Sequence, residues 1–314
     1  MKNKLMILAV GWMLVWASAA CAQVMTVDEN LENYTPVSGV SGNLNSIGSD
    51  TLNNLMTYWA EGFRALYPDV NIQIEGKGSS TAPPALIEGT AQLGPMSRPM
   101  KAEEIDKFEK KYGYRPIEIR VAIDALAVYV HKDNPIEGLS LKEVDGIFST
   151  TRKWGGKNIE KWGDAGLTGD WASKPISLYG RNSASGTYGF FKDNALKKGD
   201  YKPTVKEQPG SSSVVQGVGA DLGGIGYSGI GYKTSEVKAL SLAGEDGVLQ
   251  EPSYENCVSG KYPLARFLYV YVNKKPGEPF DKLTGEFIRF VLSKQGQEIV
   301  IKDGYFPLPN SFSS

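Results

Sequence analysis

The residues of this chain that could do chemistry on a ligand gather in four short polar turns: Gly48-Ser49-Asp50-Thr51, Gly78-Ser79-Ser80, Ser97-Arg98, and Arg181 followed by Ser185-Gly186-Thr187. Each stands where a strand-like run hands over to a helical one. At such a point the first turn of the helix carries unpaired backbone N–H groups and the positive end of the helix dipole, which together favour an anion. Hydroxyls add donors that rotate to suit a ligand. Arg98 and Arg181 add planar forks matched to two oxygens of a phosphate or carboxylate. Gly186 removes a side chain where backbone must approach a ligand closely. A single such turn reads as a serine capping its own helix, and a single arginine as a surface ion pair. Four turns in one chain, two of them with arginine, point to an oxyanion cradle. Asp50 is the one acidic residue within them, so it is either a helix cap or an acceptor for a proton carried by the ligand.

Catalysis finds little support. A serine nucleophile needs a base beside it, and the only histidine, His131, stands in "VYVHKDNP" with no G-x-S-x-G elbow anywhere. The glycines Gly224, Gly226 and Gly229 of "GGIGYSG" fit G-x-G-x-x-G, but no helical pattern follows them, so a dinucleotide site fails on context. There is no Walker A sequence, no H-E-x-x-H and no cysteine pair at zinc spacing. The expectation is therefore a binding protein without catalytic residues, metal or cofactor.

These turns need elements to hold them. Leu52, Leu55, Met56, Trp59, Phe63 and Leu66 recur at helical spacing up to Pro68, and "VNIQIEG" then alternates with Val70, Ile72 and Ile74 on one face. The cycle repeats through "GKGSS", a helix opened by Pro83 and Pro84, a short strand near Leu93, the turn "GPMSRP" and a charged helix from Lys101 to Tyr112. Strand, polar turn and helix in succession predict an α/β fold with a largely parallel sheet, and open α/β sheets bind ligands at such turns. Two long apolar segments, residues 117–135 and 262–279, bracket a middle region with strand–turn–helix units of its own. This predicts two lobes joined by two crossing segments: residues 46–125 with 262–314 in the first, 126–261 in the second, and an extended arm over 23–45.

The start of the chain is a separate matter. Lys2 and Lys4 precede an apolar run from Leu5 to Val15 and the small residues "ASAACAQ", the pattern of a secretory signal over residues 1–22. The run is shorter than the roughly 20 residues a membrane span needs. Cleavage before Gln23 gives a periplasmic protein; a lipoprotein reading of "SAAC" would instead anchor it outside the cytoplasm through Cys21. Either way Cys257 has no evident partner. Of 34 basic and 35 acidic residues, Lys2 and Lys4 go with the signal, so the remainder carries a net charge of -3. Nothing in this balance suggests nucleic acid.

At this point the sequence resembles a known family, the substrate-binding proteins of high-affinity phosphate ABC transporters. The stretches "GSDTLNNLMTYWAEGF", "IEGKGSSTAPP", "LGPMSRPM", "IFSTTRKWGG", "YGRNSASGT", "GGIGYSGIGY" and "GKYPLARFLYVYVNK" carry the resemblance in order, from about Ser46 to Pro309. It implies a type II periplasmic-binding-protein fold, with a two-segment hinge and a central cleft that seals one phosphate. Carried over, the phosphate contacts fall on Ser49, Asp50 or Thr51, on Ser79 after Gly78, and on Arg181, Ser185, Gly186 and Thr187. Where some members have an aspartate in the third turn, this chain has Ser97 followed by Arg98, a pair common in another branch. That leaves the proton-acceptor position open. The resemblance further implies a monomer that hands inorganic phosphate to an inner-membrane ABC permease. The alternatives are the same fold with another oxyanion, or a secreted phosphatase or phosphate-binding adhesion protein outside transport.

Overall fold

The polar turns do fall between strands and helices. In the computed structural model, which describes residues 25–312, β1 (Gly42–Ile47) leads through a 3-10 turn (Asp50–Leu52) into α1 (Asn53–Leu66). The signal segment and Cys21 lie outside the described residues. β2 (Val70–Glu75) leads through a second 3-10 turn (Ser79–Thr81) into α2 (Ala82–Glu88), and β3 (Gly94–Met96) precedes α3 (Ala102–Tyr112). Then come β4 (Ile117–His131), β5 (Gly138–Ser140), α4 (Leu141–Phe148), β6 (Ser177–Arg181), α5 (Gly186–Asn194), β7 (Lys206–Gln208) and α6 (Ser211–Ala220). They are followed by β8 (Gly224–Gly229), β9 (Val237–Ala239), β10 (Ser241–Ala243), β11 (Leu249–Gln250) and α7 (Tyr254–Val258), and finally by β12 (Ala265–Val272), α8 (Lys282–Leu292) and α9 (Lys294–Lys302).

Local sequence explains the units. α1 buries Leu55, Met56, Trp59 and Phe63 on one face and stops at Tyr67, whose non-helical backbone is what a following proline imposes. Leu66, expected on the same face, is 42% exposed, because the turn at Tyr67 takes over the buried position. β8 is buried along its whole length, which its glycines allow by letting α6 lie directly on it. A methyl at Gly226 would stand 2.9 Å from Val214 and Val218 of α6.

The sheets depart from the largely parallel expectation. β1 with β2, and β6 with β7 and β8, are parallel as strand–turn–helix units require. The centre is antiparallel: β12 pairs with β3 and with residues Ile117 to Ala125 of β4, and β8 then pairs with Leu126 to Val130. The two long apolar segments are β4 and β12. One leaves a lobe as the other returns to it, so side by side they must run in opposite senses. β4 changes partner between Ala125 and Leu126, and the hydrophobic core divides near the same place. One part packs α1, α8 and α9 around Val121, Ala122 and Leu268; the other packs α4, α5 and Trp162 around Leu126, Val128 and Val130. Past α9 the chain returns to the crossing, where Phe306 and Ile123 exchange backbone hydrogen bonds of 2.9 Å.

Candidate functional site

Three of the four polar turns are knitted together before any side chain is considered. The Ser49 N–H donates to the Pro95 carbonyl at 2.8 Å and the Gly78 N–H to the Gly48 carbonyl at 2.8 Å. Gly78 adopts φ +123°, open to glycine, and a methyl there would stand 2.5 Å from the Ala184 carbonyl of the fourth turn. That carbonyl accepts from the Ser80 N–H at 3.1 Å, so the fourth turn closes against the other three.

The side chains converge at the same place. Ser49, Thr51, Ser79, Ser97, Ser185 and Thr187 are all buried. Thr51 Oγ1 lies 2.8 Å from Thr187 Oγ1, Ser79 Oγ 3.2 Å from Ser97 Oγ, and Ser97 Oγ 3.4 Å from Thr187 Oγ1. Gly186 opens α5 so close to Ser79 and Ser97 that no Cβ fits without displacing them. Ser185 does cap its helix, its Oγ accepting from the N–H groups of Thr187 at 3.1 Å and Tyr188 at 3.3 Å. An oxygen that accepts twice still has its own O–H to donate. Ser79 Oγ accepts once, from the Ser97 N–H at 3.0 Å, and it too has an O–H to donate.

Arg181 ends β6 with a fully buried side chain. Its Nη1 donates to Ser211 Oγ at 2.8 Å and faces Asp50 Oδ2 at 3.2 Å, and its Nη2 donates to the Pro209 carbonyl at 3.3 Å. Its Nε has no partner among the described residues. Burial lowers the guanidinium's proton affinity and Asp50 works against that; arginine stays charged regardless. Asp50 does not cap its own turn. Its Oδ2 accepts from the Ser211 N–H at 2.7 Å, the first residue of α6, so it is an acid set at another helix's N-terminus and paired to Arg181.

Arg98 is the expected site residue held apart from this cluster. Its fork grips Glu104 at 2.7 and 2.8 Å and the Pro99 carbonyl at 2.9 Å, with Ser80 Oγ at 3.5 Å. Burial pushes the Glu104 carboxyl up, but Arg98 and the Lys101 N–H outweigh it and hold it below its usual range. Arg98 thus ties the third turn to the start of α3.

Four participants escaped the sequence reading. Arg266 on β12 donates from Nη1 to the Ser97 carbonyl at 2.9 Å and from Nη2 to Thr187 Oγ1 at 3.0 Å, and it pairs with Asp124 of β4 at 2.8 Å. Both side chains are buried. Tyr232 and Tyr305 donate to the carbonyls of Asp50 and Thr51, each at 2.9 Å, and brace the first turn. A lone charge inside an apolar run of each long segment, "VAIDALAVYV" and "PLARFLYVYV", was the available signal for Asp124 and Arg266. The groups that could suggest catalysis lie elsewhere. His131 is seven residues along β4 from Asp124, roughly 23 Å, with Nδ1 accepting from the Asp133 N–H at 3.1 Å. Cys257 is buried and free, its thiol pushed up by burial. Among the described residues no group of three or more His, Cys, Asp or Glu could hold a metal, and no helix is long and apolar enough to cross a membrane.

Residues 33–295 match the family model described as the PBP superfamily domain. The chain belongs to this superfamily. It is 59% identical over 311 residues to the phosphate-binding protein PstS of Pseudomonas aeruginosa, covering 98% of this chain and 96% of that one, which makes it a member of the PstS group. It is 30% identical over 266 residues to protein SphX of Synechococcus elongatus, covering 83% of this chain and 76% of that one. Among solved structures, a putative phosphate ABC transporter substrate-binding protein of Clostridium perfringens with bound phosphate superposes with a TM-score of 0.72 at 27% identity, over 85% of this chain and all of that one. An ABC-type phosphate transport receptor of Vibrio cholerae, 22% identical, shares the fold with a TM-score of 0.66, over 84% of this chain and all of that one. The fold is thus that of a type II periplasmic binding protein, with two lobes.

Proposed function

We propose that this protein binds inorganic phosphate in the cleft between its lobes, outside the cytoplasm, and delivers it as a monomer to an ABC permease in the inner membrane. It is a receptor and not an enzyme. The first lobe comprises residues 46–125 and 262–314, the second 126–261. The observation that carries the reading is Arg181: a buried guanidinium with its Nε unpartnered among the described residues, beside hydroxyls whose own protons remain to be donated. A phosphate leaving water loses a large solvation energy, and a cage of charge-assisted and neutral donors from both lobes replaces it. Thr51, Ser79 and Ser97 with the Ser49 turn supply one side; Arg181, Ser185, Thr187 and the Gly186 backbone supply the other. Gly78 shapes the approach, Asp50 offers an acceptor for the phosphate proton, and Arg98 braces the third turn through Glu104. Because the ligand touches both lobes, it favours the closed arrangement by its extra affinity for that state. The high identity to a phosphate-binding protein supports phosphate over other oxyanions.

Calorimetric titration of the purified mature protein with phosphate and with sulfate tests this. Phosphate should bind tightly and compact the protein in small-angle scattering, with sulfate binding at least a hundredfold more weakly. Absence of phosphate binding by folded protein, or equal affinity for the two anions, would overturn it.

A further inference from the structure

Thr187 Oγ1 has three polar neighbours, and chemistry fixes the direction of one of those contacts. A guanidinium only donates, so the 3.0 Å approach of Arg266 Nη2 makes this oxygen an acceptor. That contact occupies one of the two lone pairs of the oxygen; the Thr51 hydroxyl, with its Oγ1 at 2.8 Å, fills the other when it donates, which leaves the Thr187 proton for Ser97 Oγ at 3.4 Å or for a ligand. Arg266 cannot turn away. Its Nε and Nη2 both meet Asp124 Oδ2 at 2.8 Å, its Nη1 meets the Ser97 carbonyl at 2.9 Å, and Asp124 Oδ1 accepts from the Ile230 N–H at 2.9 Å. Asp124 and Arg266 are register partners on β4 and β12, one residue before β4 changes partner. The fork is therefore anchored where both crossing segments and the end of β8 meet, and it reaches the third turn of one lobe and the α5 start of the other.

We propose that Arg266, oriented by Asp124, is a positioning residue that, with the Thr51 hydroxyl donating to the same oxygen, locks the Thr187 hydroxyl as a donor toward the bound anion, so that the ligand oxygen facing Thr187 must be unprotonated. The proposal rests on the reading that Thr187 belongs to the phosphate cage. A hydroxyl free to rotate would accept a ligand proton as readily as it donates; one whose two lone pairs are both taken, by the guanidinium and by the Thr51 hydroxyl, discriminates against the more protonated phosphate. Arg266 thus sets which protonation state of phosphate the cage accepts, without itself needing to touch the ligand. The groups around the pair do not supply this selectivity. Tyr129 on β4, Cys257 on α7, and Tyr262, Tyr269 and Tyr305 are all pushed up by burial and stay neutral at moderate pH. Asp50 and Arg181 lie across the cage, and Asp303, whose carboxyl burial pushes up to about 7, lies behind Tyr305.

The test is a cycle of four proteins: the parent, Thr187→Val, the neutral pair Asp124→Asn with Arg266→Gln, and all three changes together. Phosphate affinity is measured by calorimetry at pH 5.5 and pH 8. Asp303 is common to all four, so its titration cancels. Thr187→Val should lose about tenfold or more at pH 8, the usual loss for a hydrogen bond to a charged group. The neutral pair should reduce the ratio of affinities between the two pH values by about fivefold or more, and in the Thr187→Val background it should leave that ratio unchanged. An equal change in the ratio with and without the Thr187 hydroxyl would mean that Arg266 acts only through its field, which overturns the positioning role. So would a parental ratio in the neutral pair. Unchanged affinity in Thr187→Val would instead remove Thr187 from the cage, a failure of the site reading that is distinguishable from the other two. Arg266→Lys, which keeps the charge but not the planar fork, enters the same cycle if thermal melts show the neutral pair to be unfolded, with the same outcomes for and against.

Discussion

Gly186 opens α5 where the second lobe meets the first, and a methyl group added there has nowhere to go. An ideal Cβ would overlap Ser79 Oγ and stand 2.7 Å from Ser97 Oγ and 2.8 Å from Ser79 Cβ. Comfortable non-bonded contact begins near ~3.5 Å. Rotating Ser79 would not relieve the overlap, because its Cβ is also too close and its Oγ is held by the Ser97 N–H at 3.0 Å. The strain therefore falls on the approach of the lobes, with Ser79 and Ser97 on one side and Gly186 on the other. Overpacking of this kind costs about 1–3 kcal/mol. Within α5 alone, alanine is up to ~1 kcal/mol better than glycine. Gly186→Ala should accordingly leave the phosphate-free protein as stable as the parent or slightly more so, while phosphate affinity falls by about 5- to 150-fold at 1.4 kcal/mol per decade. Calorimetry gives the affinity, and thermal unfolding with and without phosphate gives the two stabilities. Affinity within twofold of the parent would refute the closure argument. A drop in phosphate-free stability matching the loss of binding would show that the clash is felt in folding and not in closure.

Arg181→Ala should weaken phosphate binding by about 2–5 kcal/mol, since the anion and Asp50 both lose a buried charged partner; near-parental calorimetry would reduce Arg181 to an interlobe brace. Asp50→Asn should lower phosphate affinity and narrow the preference for phosphate over sulfate, because an amide can turn its N–H₂ toward an oxyanion that has no proton to give. Lower thermal stability with an unchanged preference would leave Asp50 as a counter-ion alone. Burial raises the Asp303 carboxyl from its ordinary 3.8 to about 7, so the folded state holds a proton that the unfolded state has released. Stability from this group is complete below the unfolded value and is lost as pH rises through about 7. Asp303→Asn should therefore stabilise the protein at pH 8, by about 1–2 kcal/mol after allowance for solvent screening, and do little at pH 4.5. Urea melts giving the same gain at both pH values would contradict this.

The strand–turn–helix units were legible because each carries its own periodicity and its own turn residues. The hydroxyls of all four turns could be named for the same reason. Strand sense at the centre was not legible, since hydrophobic pattern says which segments are buried and not which way their neighbours run. The partner of Arg98 was not legible, because Glu104 lies six residues on, in what reads as the charged face of a helix; only the folded turn shows the carboxylate serving both Arg98 and the Lys101 N–H. Asp124 and Arg266 were hidden differently. Asp124 is the third charge along β4, after Glu118 and Arg120, and Arg266 is the one charge of β12; nothing in either segment alone says that the two are 142 positions apart yet directly opposite in register.

The pairing of charges bears on selectivity. Arg181 faces Asp50 and Arg266 faces Asp124, so among the described residues the two buried arginines at the site are matched by two carboxylates. An incoming ligand must compete with Asp50 for Arg181. A ligand oxygen that still carries a proton can give it to Asp50 and turn that competition into a hydrogen bond, while Ser211 N–H keeps the other side of the carboxylate engaged. Sulfate has no such proton at neutral pH and meets Asp50 as an uncompensated like charge. Thr187, held as a donor, permits no protonated oxygen on its side, so in the proposed cage the phosphate proton is directed to Asp50. Discrimination between two anions of the same shape then comes from where the cleft permits a proton to sit. On this proposal Ser97 can stand in the third turn without an aspartate there, because the acceptor is supplied by the first turn and the arginine behind Thr187 closes off the alternative.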